Sequence, residues 1–472
     1  MCDPIRTPVD PFSEYGLYFE NDSYPKTDFT QMEFRGAVDE NAMCDAFEEA
    51  VAAFPVYHSH LHQKWTGGHF LLYWETDMVR RNRLIVEDCR NRAPRPFDPM
   101  RFFTQYFGER MQRRIDLRTE FPLTGYLLRV DNDRYIFSIC YHHIAMNPQR
   151  GYRMLTDMLA RYHMKVCGVS PPWSQLPGMA SLGRQPRQST KDIPMRANAL
   201  FAAEYARSIL SDLIRRRPAV QLACERKLNY RRVHGRHSLR LRYDDPIILD
   251  ALVSRAARSG AQLNDIWMAL THRTITRWNK EHDAPHDNFK TTLIVSLQGR
   301  LKLPEHEGVG LSCLNFQTTD LHRADLDELI THFRQRRFGM LRRMTDIRFY
   351  KLISDAFASL RFMPLRLRKR IWPPLILTVP IAAYVSNLGV VWPRIENDRP
   401  TMDSAVLGAG GFEISDIHSS PSLLRNVGLG ITTRVHARRL FINFVCDSFR
   451  FREEEARSLV AMFADELTEA VS

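Results

Sequence analysis

The chain has 472 residues, 44% of them hydrophobic and 25% charged, and a net charge of +12. That length leaves room for two or three domains with large cores, and the composition excludes a disordered, collagen-like or disulfide-framework protein. The excess of arginine favours an anionic partner; no recognised nucleic-acid motif accompanies it, which leaves a phosphorylated cofactor, an acidic carrier protein or an anionic membrane surface.

In chain order, Asp39 to Phe54 reads as a helix capped by Asp39, with Met43, Ala46, Phe47, Ala50, Val51 and Phe54 at three- and four-residue spacing. Pro55 ends it. Val56 to His62 reads as a strand, with Phe70 to Trp74 as its hairpin partner across Gly67-Gly68. Strands are expected at Leu123–Val130 and Arg134–Tyr141, and a helix from Gly151 to about His163. Residues 171–195 are rich in Pro, Gly, Ser and Gln and read as a linker. Beyond it come helices at 247–257 and 263–278, a strand at 291–297, a basic amphipathic stretch over 360–372, a strand at 440–446 and a closing helix at 453–471. The mixture of helices and strands on both sides of the linker predicts two α/β domains, 1–170 and 196–472.

Eight cysteines are scattered singly with no CxxC pair, which suits reduced thiols. The N-terminus has no apolar signal segment, and the longest apolar run, 371–385, is short and proline-rich. A cytoplasmic protein is expected, peripheral to a membrane at most through 360–372.

The most informative stretch is Tyr141-His142-His143-Ile144-Ala145-Met146-Asn147-Pro148. Two histidines close an apolar strand just before a helix, where an imidazole titrating near neutrality can take a proton from a hydroxyl, amine or thiol. His58, His60 and His62 alternate in sequence, so on a strand all three would share one side and a metal-dependent hydrolase would be conceivable. No carboxylate or thiolate is obviously placed to complete a zinc site, and no metal is expected. Cys140 sits within the apolar strand and reads as core.

The histidine segment resembles the HHxxxDG motif of coenzyme-A-dependent acyltransferases and nonribosomal condensation domains. Further elements follow in that family's order: Phe34-Arg-Gly-Ala-Val-Asp-Glu40, Phe54-Pro-Val-Tyr-His58, Ile115-Asp-Leu117 with Phe121-Pro-Leu123, Gly260 to Asp265, Ile294-Val-Ser-Leu-Gln-Gly-Arg300 and Ser386-Asn-Leu-Gly389. The resemblance implies an α/β fold of two chloramphenicol-acetyltransferase-like domains, a V-shaped pseudo-dimer with a tunnel at the interface. It implies His143 as general base and His142 as mainly structural. The acyl donor would be a thioester of coenzyme A or of the phosphopantetheine of an acyl carrier protein, and the acceptor a small alcohol or amine. Ser386, Asn387 and Gly389 would line the second domain's side of the tunnel. A catalytically inactive protein that binds acyl chains or a carrier protein is the alternative.

Two letters depart from the motif: Asn147 and Pro148 stand where the family has Asp and Gly. The family Asp pairs with an Arg, and the two candidate positions for that Arg hold His58 and Gln298, with Arg300 two residues on. Charge is therefore lost on both sides, which predicts a compensated, hydrogen-bonded support for the site through Asn147 with His58 or Gln298. Pro148, which fixes φ and lacks an N–H, is expected to reshape the loop or narrow the tunnel.

Overall fold

The computed structural model describes residues 5–9, 11–77, 79–171, 173, 201–203, 220–224, 235–297, 301, 310–321, 323–376, 380–396 and 399–471. Gln298, Arg300 and nearly all of the expected 171–195 linker lie outside them. The chain opens with β1 (Arg6–Pro8), α1 (Pro11–Tyr18), β2 (Thr27–Gly36), α2 (Glu40–Ala52), β3 (Ser59–Thr66), β4 (His69–Thr76) and β5 (Ile85–Asp88). Next come α3 (Pro99–Gln112), β6 (Leu123–Asp131), β7 (Arg134–His142) and α4 (Pro148–Cys167). The second half begins with β8 (Arg236–Tyr243), α5 (Pro246–Arg258), α6 (Leu263–Glu281), β9 (Asn288–Ser296) and β10 (Leu311–Thr319). It continues with α7 (Leu326–Arg342), α8 (Thr345–Ser359), α9 (Leu365–Ile376), β11 (Ile381–Val390), β12 (Pro393–Glu396) and β13 (Arg399–Ser404). It closes with β14 (Gly408–Ala409), β15 (Phe412–Ser420), β16 (Val427–His436), β17 (Arg439–Asp447) and α10 (Glu453–Val471).

Local chemistry accounts for the boundaries that matter to the site. Asp39 caps α2, its carboxylate accepting from the Ala42 N–H at 2.9 Å, and the periodic Met43, Ala46, Phe47, Ala50 and Val51 are buried. Gly67 and Gly68 have φ of 54° and 80°, the positive values a two-residue hairpin turn needs between β3 and β4. Residues 55–58 differ from the expected strand. Pro55 starts a short 3-10 turn through His58, so β3 begins at Ser59 and His58 is not in register with His60 and His62. His60 is buried against Phe121 while His62 is exposed, so the three imidazoles do not converge. Among the described residues no group of three or more His, Cys, Asp or Glu is arranged to hold a metal.

Two six-stranded sheets carry the architecture, in the orders β14-β15-β2-β7-β6-β5 and β10-β9-β11-β16-β17-β8. On one face of the first sheet, α2 and α4 bury Phe34, Phe47, Phe137, Leu155 and Leu159 together. On the other, Phe102, Phe103 and Phe107 of α3 pack with Phe29, Leu128 and Ile136. The second sheet buries Leu293 and Phe444 with Ile266, Leu270, Phe333 and Phe463 of α6, α7 and α10. β15 pairs antiparallel with β2, from Phe412 opposite Gly36 to Ser420 opposite Phe29. Residues 408–420, assigned from sequence to the second domain, thus complete the first sheet. The reason is geometric: β2 has an open edge that only a returning strand can satisfy.

The basic stretch 360–372 is not a uniformly solvated face. Arg361 and Arg368 turn inward onto the buried Glu14 of α1, at 2.5 and 2.7 Å, and Arg368 also donates to the Tyr18 hydroxyl. Arg366 and Arg370 stay exposed, as do Phe362, Leu367 and Ile371. No helix among the described residues is long and apolar enough to cross a membrane.

Candidate functional site

The histidine pair lies at the end of β7, where β2 begins, where β15 ends and where β8 starts. Thr27 is opposite His142 and Asp28 opposite Tyr141 in the β2–β7 ladder. Neighbouring residues of an extended chain project to opposite sides, so the two imidazoles face different surroundings.

His142 is fully buried on one side. Its Nε2 lies 3.1 Å from Glu20, and its Nδ1 accepts from the Ile144 backbone N–H at 3.3 Å, which makes Nε2 the donor to the carboxylate. Burial alone would raise the Glu20 carboxyl. His142, Arg114 and Lys369 more than offset it and hold the group down at about 2, from an ordinary 4.5. Because the folded value is depressed, the associated stability is fully present above pH 4.5 and is lost as the pH falls toward 2. Thermal unfolding from pH 6 to pH 2.5 should therefore show an acid destabilisation on the order of 2 kcal/mol that Glu20→Gln removes. An unchanged acid slope in the variant would contradict the pairing.

His143 faces the other side, and 35% of its side chain is exposed. Its Nδ1 sits 2.8 Å from Oδ2 of Asp28, and its backbone N–H donates to the Lys26 carbonyl at 2.8 Å. A carboxylate can only accept, so Nδ1 carries the proton and the lone pair resides on Nε2, which has no partner among the described residues. Asp28 is held from the second half of the molecule. Its Oδ1 accepts the Ser422 backbone N–H at 2.6 Å, and the half-buried Arg236 guanidinium is close by, bonded to the Thr27 and Ser420 carbonyls. Burial pushes the Asp28 carboxyl up, but His143, Arg236 and the Ser422 bond leave it below its ordinary value, ionised at neutral pH. Beneath the pair, the Lys26 ammonium donates to the Leu423 carbonyl at 3.0 Å; burial pulls it down to about 8 against the raising influence of Asp28 and Glu20. The arrangement is a fixed-tautomer imidazole, anchored behind and open in front, the form a general base requires.

Asn147 and Pro148 have a local explanation that the motif comparison hides. Asn147 is the N-cap of α4, its Oδ1 accepting from the Arg150 N–H at 2.8 Å, and Pro148 is the first helical residue. Asn is a preferred cap, and at the first helical position the missing N–H costs nothing. Of the proposed supports, His58 sits in the 3-10 turn ahead of β3, its Nδ1 buried without a hydrogen-bond partner among the described residues and its ring making no hydrogen bond to Asn147. In the second half, the Asn387 amide is spent on neighbouring elements: it donates to Asn264 of α6 at 2.8 Å and accepts from Thr433 of β16 and from the Gly389 N–H at 3.0 Å. Gly389, at φ 67°, permits the irregularity in β11 that follows Asn387. Neither Ser386 nor Asn387 hydrogen-bonds His143. Cys140 is buried, which pushes its thiol up to about 12 and makes it a core residue.

The groups absent from the sequence reading are Asp28, Glu20, Arg236 and Ser422. Two of them are acids flanking Lys26 just ahead of the Phe34-Arg-Gly segment; that acidic spacing was the available signal.

No family model matches the chain. Over 82 residues, 16% of this chain, it is 32% identical to the isonitrile lipopeptide synthase of Mycobacterium tuberculosis (strain ATCC 25618 / H37Rv), and the match spans only 3% of that protein's length. Similarity to solved structures extends over the whole fold. The first condensation domain of the calcium-dependent antibiotic synthetase, solved with a substrate analogue, superposes with a TM-score of 0.66 at 13% identity, covering 99% of this chain and 97% of that one. The starter condensation domain of rhizomide synthetase, a mutant in complex with C8-CoA, gives 0.64 at 14% identity over 99% and 95%. The epimerization domain from the third module of tyrocidine synthetase B gives 0.63 at 15% over 99% and 98%.

Proposed function

From the condensation-domain fold that these superpositions establish, we propose that the chain is a condensation-type acyltransferase. It moves an acyl group from a thioester of coenzyme A or of a carrier-protein phosphopantetheine to an alcohol or amine. The observation that carries this reading is the partly exposed His143, with Nδ1 tied to Asp28 and Nε2 free. Nε2 takes the proton of the acceptor, the oxygen or nitrogen attacks the thioester carbonyl, and collapse of the tetrahedral adduct expels the thiolate, which is then protonated. The negative Asp28 stabilises the imidazolium formed on the way. His142 acts structurally through Glu20. The C8-CoA complex of the rhizomide starter domain supports a thioester donor. Ser386, Asn387, Gly389 and Pro148 belong to the proposed walls of the interface tunnel, with Gln298 and Arg300 as supports.

The test is release of free thiol from octanoyl-CoA with a panel of alcohols and amines, comparing the protein with His143→Ala. Acceptor-dependent release that vanishes in the variant supports the reading; equal release from both proteins overturns it, and binding of octanoyl-CoA without turnover favours the non-catalytic alternative.

A peripheral membrane contact is the second element of the proposal. The outward Arg366 and Arg370 beside exposed Phe362, Leu367 and Ile371 form a basic, apolar surface. Sedimentation with vesicles containing phosphatidylglycerol, absent with phosphatidylcholine alone and abolished by Leu367→Asp with Ile371→Asp, is the expected result. Binding that ignores lipid charge or survives the double variant counts against it.

A further inference from the structure

Arg434 lies on β16 in the seam between the two halves, and it is fully buried. One terminal nitrogen, Nη1, donates to the Tyr152 hydroxyl at 2.8 Å. Nε and Nη2 have no hydrogen-bond partner, and among the described residues no carboxylate lies within ion-pairing distance of the guanidinium. These two nitrogens form the side-on edge whose parallel N–H bonds match the two oxygens of a carboxylate. The same edge is used that way elsewhere in this chain: Nε and Nη2 of Arg337 meet Oδ1 and Oδ2 of Asp265 at 2.7 and 2.8 Å. A buried guanidinium with that edge empty is an uncompensated charge, and such groups are uncommon unless something fills them.

The location ties it to the candidate site. Tyr152 lies in the second turn of α4, the helix that begins five residues after His143. Both Arg434 and Tyr152 act electrostatically on Tyr141, which sits opposite Asp28 in the β2–β7 ladder. Tyr141 and His143 are two residues apart, so Tyr141, with Tyr152 and Arg434 beyond it, lies on the His143 side of the sheet. Nearby, burial holds His418 well below its ordinary value, with Arg240, Arg434 and Arg236 adding to it.

We propose that the Nε/Nη2 edge of Arg434, with Tyr152 holding Nη1, is a subsite for a carboxylate carried by the substrate. This deepens the acyltransferase reading, on which it rests only for the role of the ligand. The substrate class becomes carboxylate-bearing: an acceptor of amino- or hydroxy-acid type, or its N- or O-acylated product. Protein atoms now cover the two nitrogens, so the carboxylate enters by shifting the side chains over that edge.

Binding, which needs no turnover, tests this separately from catalysis. Calorimetric titration uses N-octanoylglycine and its neutral analogue N-octanoylglycinamide, on the full chain and on His143→Ala. The acid should bind both proteins at least about tenfold more tightly than the amide, the worth of a charge-assisted pair. Arg434→Gln should erase the preference. Arg434→Met, which removes the buried charge and keeps much of the volume, should also erase it while melting no lower than the parent in the absence of ligand. Equal binding of acid and amide to the parent, or a preference that survives either substitution, overturns the proposal. If the acid preference is present but octanoyl-CoA is never turned over, the subsite stands and the acyltransferase reading falls.

Discussion

Asparagine at position 28 should cut acceptor-dependent thiol release by about 10³–10⁴-fold, close to the loss expected for His143→Ala. The argument rests on which oxygen does what. Oδ1 of Asp28 accepts the Ser422 N–H at 2.6 Å, while Oδ2 accepts from His143 Nδ1 at 2.8 Å. In Asp28→Asn, the amide oxygen stays with the Ser422 donor, so the NH2 group takes the place of Oδ2. Two donors cannot face each other, so the His143 proton moves to Nε2 and the lone pair points backward. The ring keeps its position but can no longer accept the acceptor's proton. The change is nearly isosteric but takes a negative charge from beside Lys26 and Arg236, so the unfolding temperature should fall; a far-UV circular dichroism spectrum matching the parent's at the assay temperature separates the tautomer effect from misfolding. Full activity in the variant would show that Asp28 does not set the tautomer and would remove the basis for His143 as base.

Alanine at Asp265 should destabilise the second half by about 3–5 kcal/mol in urea unfolding, the typical result of stripping one member from a buried ion pair. Asp265 is 1% exposed and holds Arg337, itself 8% exposed, through both oxygens. It also accepts the Gln262 N–H at 2.9 Å as the third residue of α6, so a capping bond goes with the pair. Replacing both members, Asp265→Ala with Arg337→Met, should recover most of the loss because no charge is then left buried alone. A single substitution costing under about 1 kcal/mol would mean the pair is far better solvated than its burial implies.

The elements legible in the sequence are those with local causes. The α2 periodicity and its Asp39 cap, the Gly67-Gly68 turn and the final helix 453–471 each follow from residues within a few positions of one another. The ordered motifs also pointed to the right fold class, now seen in two mixed sheets. What escaped was long-range or was read at the wrong level. Asp28 meets His143 across 115 residues, and Ser422 meets Asp28 across 394, distances over which no spacing rule operates. The motif frames Asn147 as half of a compensated support and Pro148 as a reshaped loop, whereas helix-capping chemistry makes them an N-cap and a first-turn proline. Arg434 gave no warning, because one arginine in an apolar strand carries no sign of whether a partner awaits it.

The return of β15 to the edge of β2 also sets a schedule for biosynthesis. β7 can pair with β2 once residue 142 has emerged, but the opposite edge of β2 must wait for residue 420. At ribosomal speeds of about 5–20 residues per second, that edge stays unpaired for roughly 15–55 s while the rest of the chain is made. For that interval the nascent first half presents a ready template for another strand, and nearby ribosomes supply copies of the right one. Translation rate and chaperone occupancy should therefore govern the yield of this protein more strongly than its final stability does.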